Sequence, residues 1–289
     1  MKRLLPMMFF VLSLSGTVAV AKPSWNSGVN GSNSSSFATW RGFPLGLATG
    51  WAPWDSWSNM LSYMSGSSAR NLRQVSSNVS IGVGLFPKSG GNLADCAAGK
   101  YAANHRSIGS RLVANGLGDA EIRLGWEANN DSYPWTAVGK PAEQWRACFT
   151  NAAKAIKEGG STLRISWHMA KKGRVDVNTL WPDDAPITNV GVSHYDDGQS
   201  RFGMETFNGS PWGLRAWLAF AVSKGKQLEM AEWGAGRLGD NPIYVQNMYD
   251  FFRDAGGNLA HEGYFNARVH QIYSTTSLPK SSAIYRQLF

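Results

Sequence analysis

Apolar runs alternate with amphipathic segments along most of the chain. Seven runs have the length and hydrophobicity of buried strands, and one weaker candidate covers residues 69–76. Strands that alternate with helices are typical of a parallel sheet with helices packed on its faces. The count predicts an α/β fold, a (β/α)8 TIM barrel. The seven clear runs are residues 43–49, 79–86, 120–126, 161–167, 187–193, 226–232 and 258–265.

The segments between these runs have helical periodicity. In residues 141–158 the apolar positions from Trp145 to Ile156 recur every three to four residues, as on one buried helix face. Pro141 suits the first helical position, and Gly159 follows as a helix terminator. Further helical segments cover residues 93–115, 211–223 and 241–255.

No internal linker divides the chain, so we predict one catalytic domain over residues 37–289. The main alternative is an open, doubly wound sheet. That fold needs a glycine-rich phosphate turn after its first strand, and the segment GLATGWAPW lacks the required spacing.

The N-terminus has the pattern of an export signal. Lys2 and Arg3 precede an apolar stretch over residues 4–18, and Ala19-Val20-Ala21 is a small-residue cleavage signal. We predict a signal peptide over residues 1–21 and a secreted or periplasmic protein. A membrane anchor is the alternative, but a span needs about 20 apolar residues. Residues 22–36 are rich in Ser, Asn and Gly and predict a flexible leader.

The chain is basic, with a net charge of +8 and a pI near 9.5. Its densest cationic run, Lys171, Lys172 and Arg174, is too short for a nucleic-acid patch, so we expect no nucleic-acid partner. The charge could serve an acidic polysaccharide or an anionic cell surface, or solubility alone. We expect a monomer without a membrane span after signal cleavage.

Two cysteines, Cys96 and Cys148, lie in helix-like segments. In an exported protein they are free to pair, and no His or Cys lies near either at metal-ligand spacing. We predict a disulfide rather than two buried thiols, and we predict no metal and no cofactor.

The C-terminal ends of the predicted strands carry carboxylates, imidazoles, amides and aromatic rings. Catalytic groups of (β/α)8 barrels lie at these ends, so we expect them to converge on one rim. The aromatic residues after the first strand could line sugar subsites or only cover the barrel. The candidates are Glu127, Glu232, His168, His194, Tyr195, Asn129, Asn130, Tyr133, Trp51, Trp54, Trp126, Trp135 and Trp233.

Glu127 and Glu232 directly follow apolar strands, where a charge is costly unless it has a role. Two carboxyl groups about 5–5.5 Å apart are what a retaining glycosidase uses, one as acid/base and one as nucleophile. The 13 tryptophans are more than a core of this size needs, and aromatic rings stack on the apolar faces of sugars.

The segment IRLGWEANNDSYPW resembles the acid/base segment of glycoside hydrolase family 26, whose relatives include β-mannanases. That family has an Arg four residues before the acid/base Glu, an Asn two residues after it, and then aromatic residues. The matching positions are Arg123, Glu127, Asn129, Tyr133 and Trp135. The resemblance implies that Glu127 is the acid/base.

Two further segments resemble the same family, and with the first they cover residues 43–265 in the family's order. MAEWGAG is similar to the nucleophile segment at the end of strand seven, which implies that Glu232 is the nucleophile. VGVSHYDD is similar to the end of strand six, where a Tyr contacts the nucleophile; Tyr195 matches. The resemblance implies a retaining endo-β-glycosidase acting on a β-mannan-like glycan or a bacterial exopolysaccharide.

The chain departs from the family at two positions. Trp126 stands where the mannanases usually have a substrate-contacting His, which leaves the sugar open. Asn130 replaces a Gly, and Asn tolerates left-handed backbone.

Arg123, inside an apolar strand, is expected to be buried and paired with Glu232, lowering the pKa of that carboxyl. His168 and His194 are expected to bond the substrate or a catalytic glutamate; the alternative is a structural histidine. Asp196 and Asp197 could bind calcium or form a solvated turn.

Two other functions remain open. A non-catalytic carbohydrate-binding barrel would not need both glutamates. A polysaccharide lyase would use His194 or Tyr195 to abstract a proton beside a uronate.

Overall fold

Eight parallel strands close into a barrel in the computed structural model, which describes residues 23–30, 34–42, 44–273 and 276–289. The predicted (β/α)8 fold is confirmed. The barrel strands are β1 (Ser27–Asn30), β2 (Leu47–Trp51), β3 (Val79–Val83), β4 (Glu121–Leu124), β5 (Arg164–Ala170), β6 (Asn189–Tyr195), β9 (Gln227–Gly234) and β10 (Leu259–Phe265). A short antiparallel hairpin, β7 (Thr206–Phe207) and β8 (Ser210–Pro211), follows β6.

Helices surround the barrel. They are α1 (Ser34–Arg41), α2 (Trp57–Ser65), α3 (Ser67–Val75), α4 (Leu93–Ala97), α5 (Ala102–Ala114), α6 (Ala142–Gly159), α7 (Leu214–Ser223), α8 (Pro242–Ala255) and α9 (Pro279–Leu288). Short 3-10 segments cover Val177–Leu180, Gly256–Asn258 and Arg268–His270. No helix in the described ranges is long and apolar enough to cross a membrane.

The first barrel strand lies inside the segment predicted as a flexible leader, and that prediction is wrong for residues 27–30. All four residues are buried, and Gly28 pairs with Leu47 on one side and Gly263 on the other. A Cβ on Gly28 would lie 2.3 Å from the Leu47 carbonyl oxygen, so a small residue is needed where the strands approach. The barrel therefore begins before residue 37. The predicted signal peptide lies outside the described residues and stays a prediction.

The weak strand candidate at residues 69–76 is also wrong, because this segment belongs to helix α3. Its apolar residues Ala69, Leu72 and Val75 are spaced by three, which places them on one helix face toward the core.

Helix α6 has the predicted buried face, and it packs closely against α5. A Cβ on Gly109 would lie 2.2 Å from the Ile156 carbonyl oxygen, so glycine permits the contact. Cys148 of α6 forms a disulfide with Cys96 of α4, with the two Cα atoms 4.8 Å apart. The bond joins the helices that follow two neighbouring strands, β3 and β4.

Candidate active site

The C-terminal ends of the strands surround a cleft of about 1140 Å³. Both candidate catalytic glutamates line it, together with aromatic, amide and cationic side chains. Its lining includes Glu127, Glu232, Trp51, Trp54, Trp126, Asn130, Tyr133, Tyr195, Phe265, Lys171, Lys172, Arg237, Arg268 and His270. The sequence therefore brings the two glutamates together.

Glu127 follows β4 in a strained turn. Gly125 and Glu127 both have left-handed backbone, with φ of 57° and 55°, which a glutamate rarely adopts. The Glu127 amide donates to the His168 carbonyl, 2.8 Å away on β5, and this bond holds the turn. The side-chain amide of Asn130 donates to the Glu127 carboxylate at 3.4 Å. The left-handed residue is thus the glutamate itself, not Asn130.

Glu232 lies near the end of β9 and is held by two side chains. Arg123, which is fully buried, places a guanidinium nitrogen 3.6 Å from one carboxylate oxygen, and the Tyr195 hydroxyl donates to the other. Arg123 also donates to the Gly50 carbonyl at 3.0 Å, which fixes its guanidinium. These are the contacts that the sequence predicted for Arg123 and Tyr195.

Arg123 lowers the pKa of Glu232 as the sequence predicted, but the net shift of that pKa is upward. Burial raises the pKa of Glu232, and the negative charge of Glu127 raises it further. Arg123 and Tyr195 favour the ionised form, but they do not offset those two effects.

Three partly exposed rings, Trp51, Trp54 and Tyr133, line one side of the cleft, and we name them the aromatic wall. The Trp54 and Tyr133 rings meet edge to face at 6.0 Å. Trp126 lies beside Tyr133 with its ring centroid 4.9 Å away, and it lines the cleft although it is almost fully buried. These four residues occupy positions predicted to bind substrate.

Three other predicted substrate-binding residues are buried away from the cleft. Trp135 backs the aromatic wall, where it stacks on Tyr133 at 4.9 Å and donates to the Trp126 carbonyl. Asn129 forms two hydrogen bonds with the Ala170 backbone, joining the loop after β4 to β5. Trp233 packs against the outer helices because strand residues alternate, and its neighbour Glu232 points inward.

The two histidines do not contact the catalytic glutamates. His168 lies within the barrel, where Nδ1 is 2.5 Å from Glu229 and Nε2 is 2.8 Å from the Ser193 hydroxyl. His194 points outward and stacks on Tyr244, whose hydroxyl lies 2.9 Å from Nδ1. Burial lowers the pKa of His194 well below its ordinary value. Both are structural, which was the alternative interpretation.

Beneath the cleft, the barrel interior holds an ionised cluster. His261 Nε2 is 3.1 Å from Glu121 and 3.6 Å from Glu229, and all three are buried. Burial alone would lower the pKa of His261, but the two carboxylates outweigh it and raise the pKa to about 9. Their ligand atoms lie within 4.8 Å of one another, near enough for a metal. An imidazolium between two carboxylates already balances much of their charge, so we interpret the cluster as an ion-pair network.

Sequence reasoning missed the charged side of the cleft. Lys171 and Lys172 directly follow β5, so the strand-end rule could have found them. Arg237 and Arg268 lie in loops three residues after β9 and β10, where no periodicity marks them. Asp197 pairs with Lys171 at 2.6 Å, and Asp196 accepts from Asn241 at 3.0 Å, so neither forms a separate acidic site.

The structure is similar to several solved glycoside hydrolases. No protein-family model and no curated protein sequence matches the chain. The family 53 catalytic domain of Ignisphaera aggregans aligns with a TM-score of 0.60 and 12% identity, covering 92% of this chain and 96% of that one. The family 26 endo-β-1,4-mannanase domain of Bacillus sp. JAMB-750 aligns at 0.63 and 11%, covering 91% and 85%. The family 26 β-mannanase of Bacteroides ovatus aligns at 0.57 and 11%, covering 92% and 90%.

At these identities the similarity establishes the fold alone. The family 26 barrels are nevertheless among the structures that align over nearly the whole chain, and their family is the one that the three sequence motifs resemble. The (β/α)8 barrel of this chain is similar to those of glycoside hydrolase families 26 and 53.

Proposed function

We propose that the chain is a retaining glycoside hydrolase that cleaves a polysaccharide, with Glu127 as acid/base and Glu232 as nucleophile. One observation carries the proposal. Two glutamates line the same cleft, and one of them is held by a buried arginine and a tyrosine hydroxyl beside a wall of aromatic rings. A binding protein has no need of that arrangement.

The reaction would proceed in two displacements. Ionised Glu232 attacks the anomeric carbon while protonated Glu127 gives its proton to the leaving oxygen, so the glycosidic bond breaks and a glycosyl-enzyme ester forms. Glu127, now ionised, takes a proton from water, and that water displaces Glu232 from the anomeric carbon. The enzyme returns to its starting state and the product keeps the original configuration.

The contacts of Glu232 with Arg123 and Tyr195 support its role as the ionised partner. The negative charge of Glu127 raises the pKa of Glu232, so a proton placed on Glu127 removes that repulsion. Arg123 and Tyr195 then stabilise the Glu232 carboxylate. A carboxyl separation of about 5–5.5 Å is expected for this mechanism.

The remaining parts of the proposal follow from the cleft and the N-terminus. We propose endo action on an internal segment of a long chain, which the cleft of about 1140 Å³ would hold. We propose export with cleavage after Ala21, and action as a monomer. A lyase is disfavoured because His194, one of the two bases considered, faces away from the cleft.

Product analysis on a panel of neutral and acidic polysaccharides tests the proposal. The mature protein should release new reducing ends from at least one polymer, and the Glu127→Gln and Glu232→Gln variants should not. Unsaturated chain ends would indicate a lyase, and tight binding without any new ends would indicate a binding protein.

A further inference from the structure

Resting on the proposed function, we propose that the substrate is an acidic polysaccharide whose carboxylate groups bind Lys172, Arg237 and Arg268. We name these three residues the cationic wall. They line the cleft on the side formed by the loops after β5, β9 and β10. The aromatic wall lies across the cleft on the loops after β2 and β4 and carries no charge.

The cationic wall does not contact the acidic groups of the cleft, each of which has another partner; that of Glu127 is the Asn130 side chain. Arg123 and Tyr195 serve Glu232, and Lys171 pairs with Asp197 at 2.6 Å. Within the described part of the chain, no carboxylate lies within ion-pair distance of the three cationic-wall residues. Three cations therefore face the cleft without a fixed counter-charge.

The Lys172 ammonium is held in place before any ligand binds. It lies 4.2 Å from the centre of the Phe207 ring and 4.6 Å from that of Trp212, and it donates to the Gln199 side chain at 2.9 Å. The β7–β8 hairpin and the loops beside it supply these contacts. A flexible surface lysine has no such fixed position, so the ammonium is preorganised for an anion.

Arg237 lies against the partner of the nucleophile. The Arg237 guanidinium carbon lies 5.2 Å from the centre of the Tyr195 ring, and Tyr195 donates to Glu232. Burial lowers the pKa of His270, and the charges of Arg237 and Arg268 lower it further. The two guanidinium groups therefore lie near the same histidine at the cleft edge.

The backbone conformation of Arg268 also points to a ligand site. Its backbone φ is 54°, a left-handed conformation that is strained in a non-glycine residue and that clusters at ligand sites. Glycine would remove this strain, yet the position holds an exposed cation. The guanidinium fork matches a carboxylate, with two parallel hydrogen bonds.

The geometry assigns the two walls to different sugars. A carboxylate-bearing sugar fits the cationic wall, close to the nucleophile, and sugars without charge stack on Trp51, Trp54 and Tyr133. Sulfate groups share the anionic chemistry, so the test separates the two sources.

The test uses xanthan, gellan and alginate, each as the native polymer and after reduction of its carboxyl groups to hydroxymethyl groups. Konjac glucomannan serves as a neutral polymer, and dextran sulfate serves as the sulfate source. Reducing-end release is measured with the mature protein, and binding is measured by affinity electrophoresis of the Glu232→Gln variant. The wall variant combines Lys172→Gln, Arg237→Gln and Arg268→Gln. The matched control combines Lys154→Gln, Lys226→Gln and Lys280→Gln, which remove the same charge outside the cleft.

We expect cleavage of at least one native acidic polymer, and at least tenfold slower cleavage of its carboxyl-reduced form. The wall variant should raise KM on the native polymer at least tenfold, with a smaller change in kcat, and the control variant should stay within twofold. If the wild-type protein cleaves glucomannan, dextran sulfate or the carboxyl-reduced polymers faster than the native acidic polymers, the inference is wrong. The proposed hydrolase function would be unaffected by that result. A different result would separate the two proposals: the native polymers slow the migration of Glu232→Gln, the wall substitutions abolish that effect, and yet no polymer is cleaved. The proposed hydrolysis would then be wrong, and the proposed binding of an acidic polysaccharide would be supported.

Discussion

At the scale of single residues, the cleft places two carboxyl groups in contrasting surroundings. Glu127 lies in a left-handed turn whose backbone is hydrogen-bonded to β5. Among the described residues, only the side-chain amide of Asn130 forms a hydrogen bond with the Glu127 carboxylate. Glu232 is largely enclosed, with 13% of its side chain exposed, and it contacts Arg123 and Tyr195. Carboxyl groups with different environments can divide the roles of acid and nucleophile.

Replacing each glutamate by alanine should separate the roles. With an activated aryl glycoside of the correct sugar, Glu127→Ala should still form the glycosyl-enzyme, because a good leaving group needs no proton. Azide should then restore turnover and give a glycosyl azide of retained configuration, detected by NMR. Glu232→Ala should form no glycosyl-enzyme. An inverted azide product from Glu127→Ala would mean that the two roles are exchanged.

Replacing Tyr195 by phenylalanine should move the pH profile of the enzyme. The Tyr195 hydrogen bond favours ionised Glu232, so its loss raises the pKa of Glu232. The acidic limb of kcat/KM, which reports that ionisation, should shift to higher pH. Above that limb, kcat/KM should fall about 10- to 100-fold, as expected for the loss of a hydrogen bond to a charged group. Tyr249→Phe on α8 is the matched control and should leave the limb in place. An unshifted limb in Tyr195→Phe would show that the hydroxyl does not tune the nucleophile.

At the scale of elements, alternation along each strand decides which side chains reach the cleft. On β9, Glu229 and Glu232 both point inward although they are three residues apart, because the pairing with β6 shifts register between them. Trp233, next to Glu232, packs on the outer helices. On β6, Tyr195 reaches Glu232 and His194 packs on Tyr244. The rule that catalytic groups lie at the C-terminal ends of strands located the correct rim of the barrel. It does not say which face of a strand a residue occupies, so it also selected Trp233 and His194 as site residues.

The ionised cluster inside the barrel should make stability depend on pH. Its partners raise the pKa of His261 from 6.5 to about 9, so its stabilising charge is fully present below pH 6.5 and is lost as the pH rises through 9. Urea unfolding should therefore show a wild-type free energy that falls over this window. His261→Gln should lose about 3–5 kcal/mol at pH 6.5, because it leaves two buried carboxylates without their cation, and it should lack that fall.

His105→Gln is the matched control for this measurement. His105 is also buried, but burial lowers its pKa to about 4, so it carries no charge that could be lost in this window. Its variant should be less stable yet keep the wild-type pH slope. Parallel pH slopes in wild type and His261→Gln would contradict the ion-pair interpretation.

At the scale of the whole molecule, the order of strands, the two glutamates and their partners could be predicted, because buried strands and charged strand ends are local signals. Strand β1 could not be predicted, because its sequence SGVN is short and consists mostly of small residues. Its pairing with β2 and β10 makes it a strand. The sequence did not predict the cationic wall, because Arg237 and Arg268 line the same cleft as Lys172 only once the barrel has closed. Which aromatic rings face the cleft depends on that closure too.

The most direct test of the central claim is the configuration of the first product. Proton NMR should follow the fresh reducing end released from the polysaccharide that the panel identifies, before mutarotation mixes the anomers. Double displacement by Glu232 and Glu127 predicts that the first anomer seen has the configuration of the bond that was cleaved. If the opposite anomer appears first, the enzyme inverts, and Glu232 is not a covalent nucleophile.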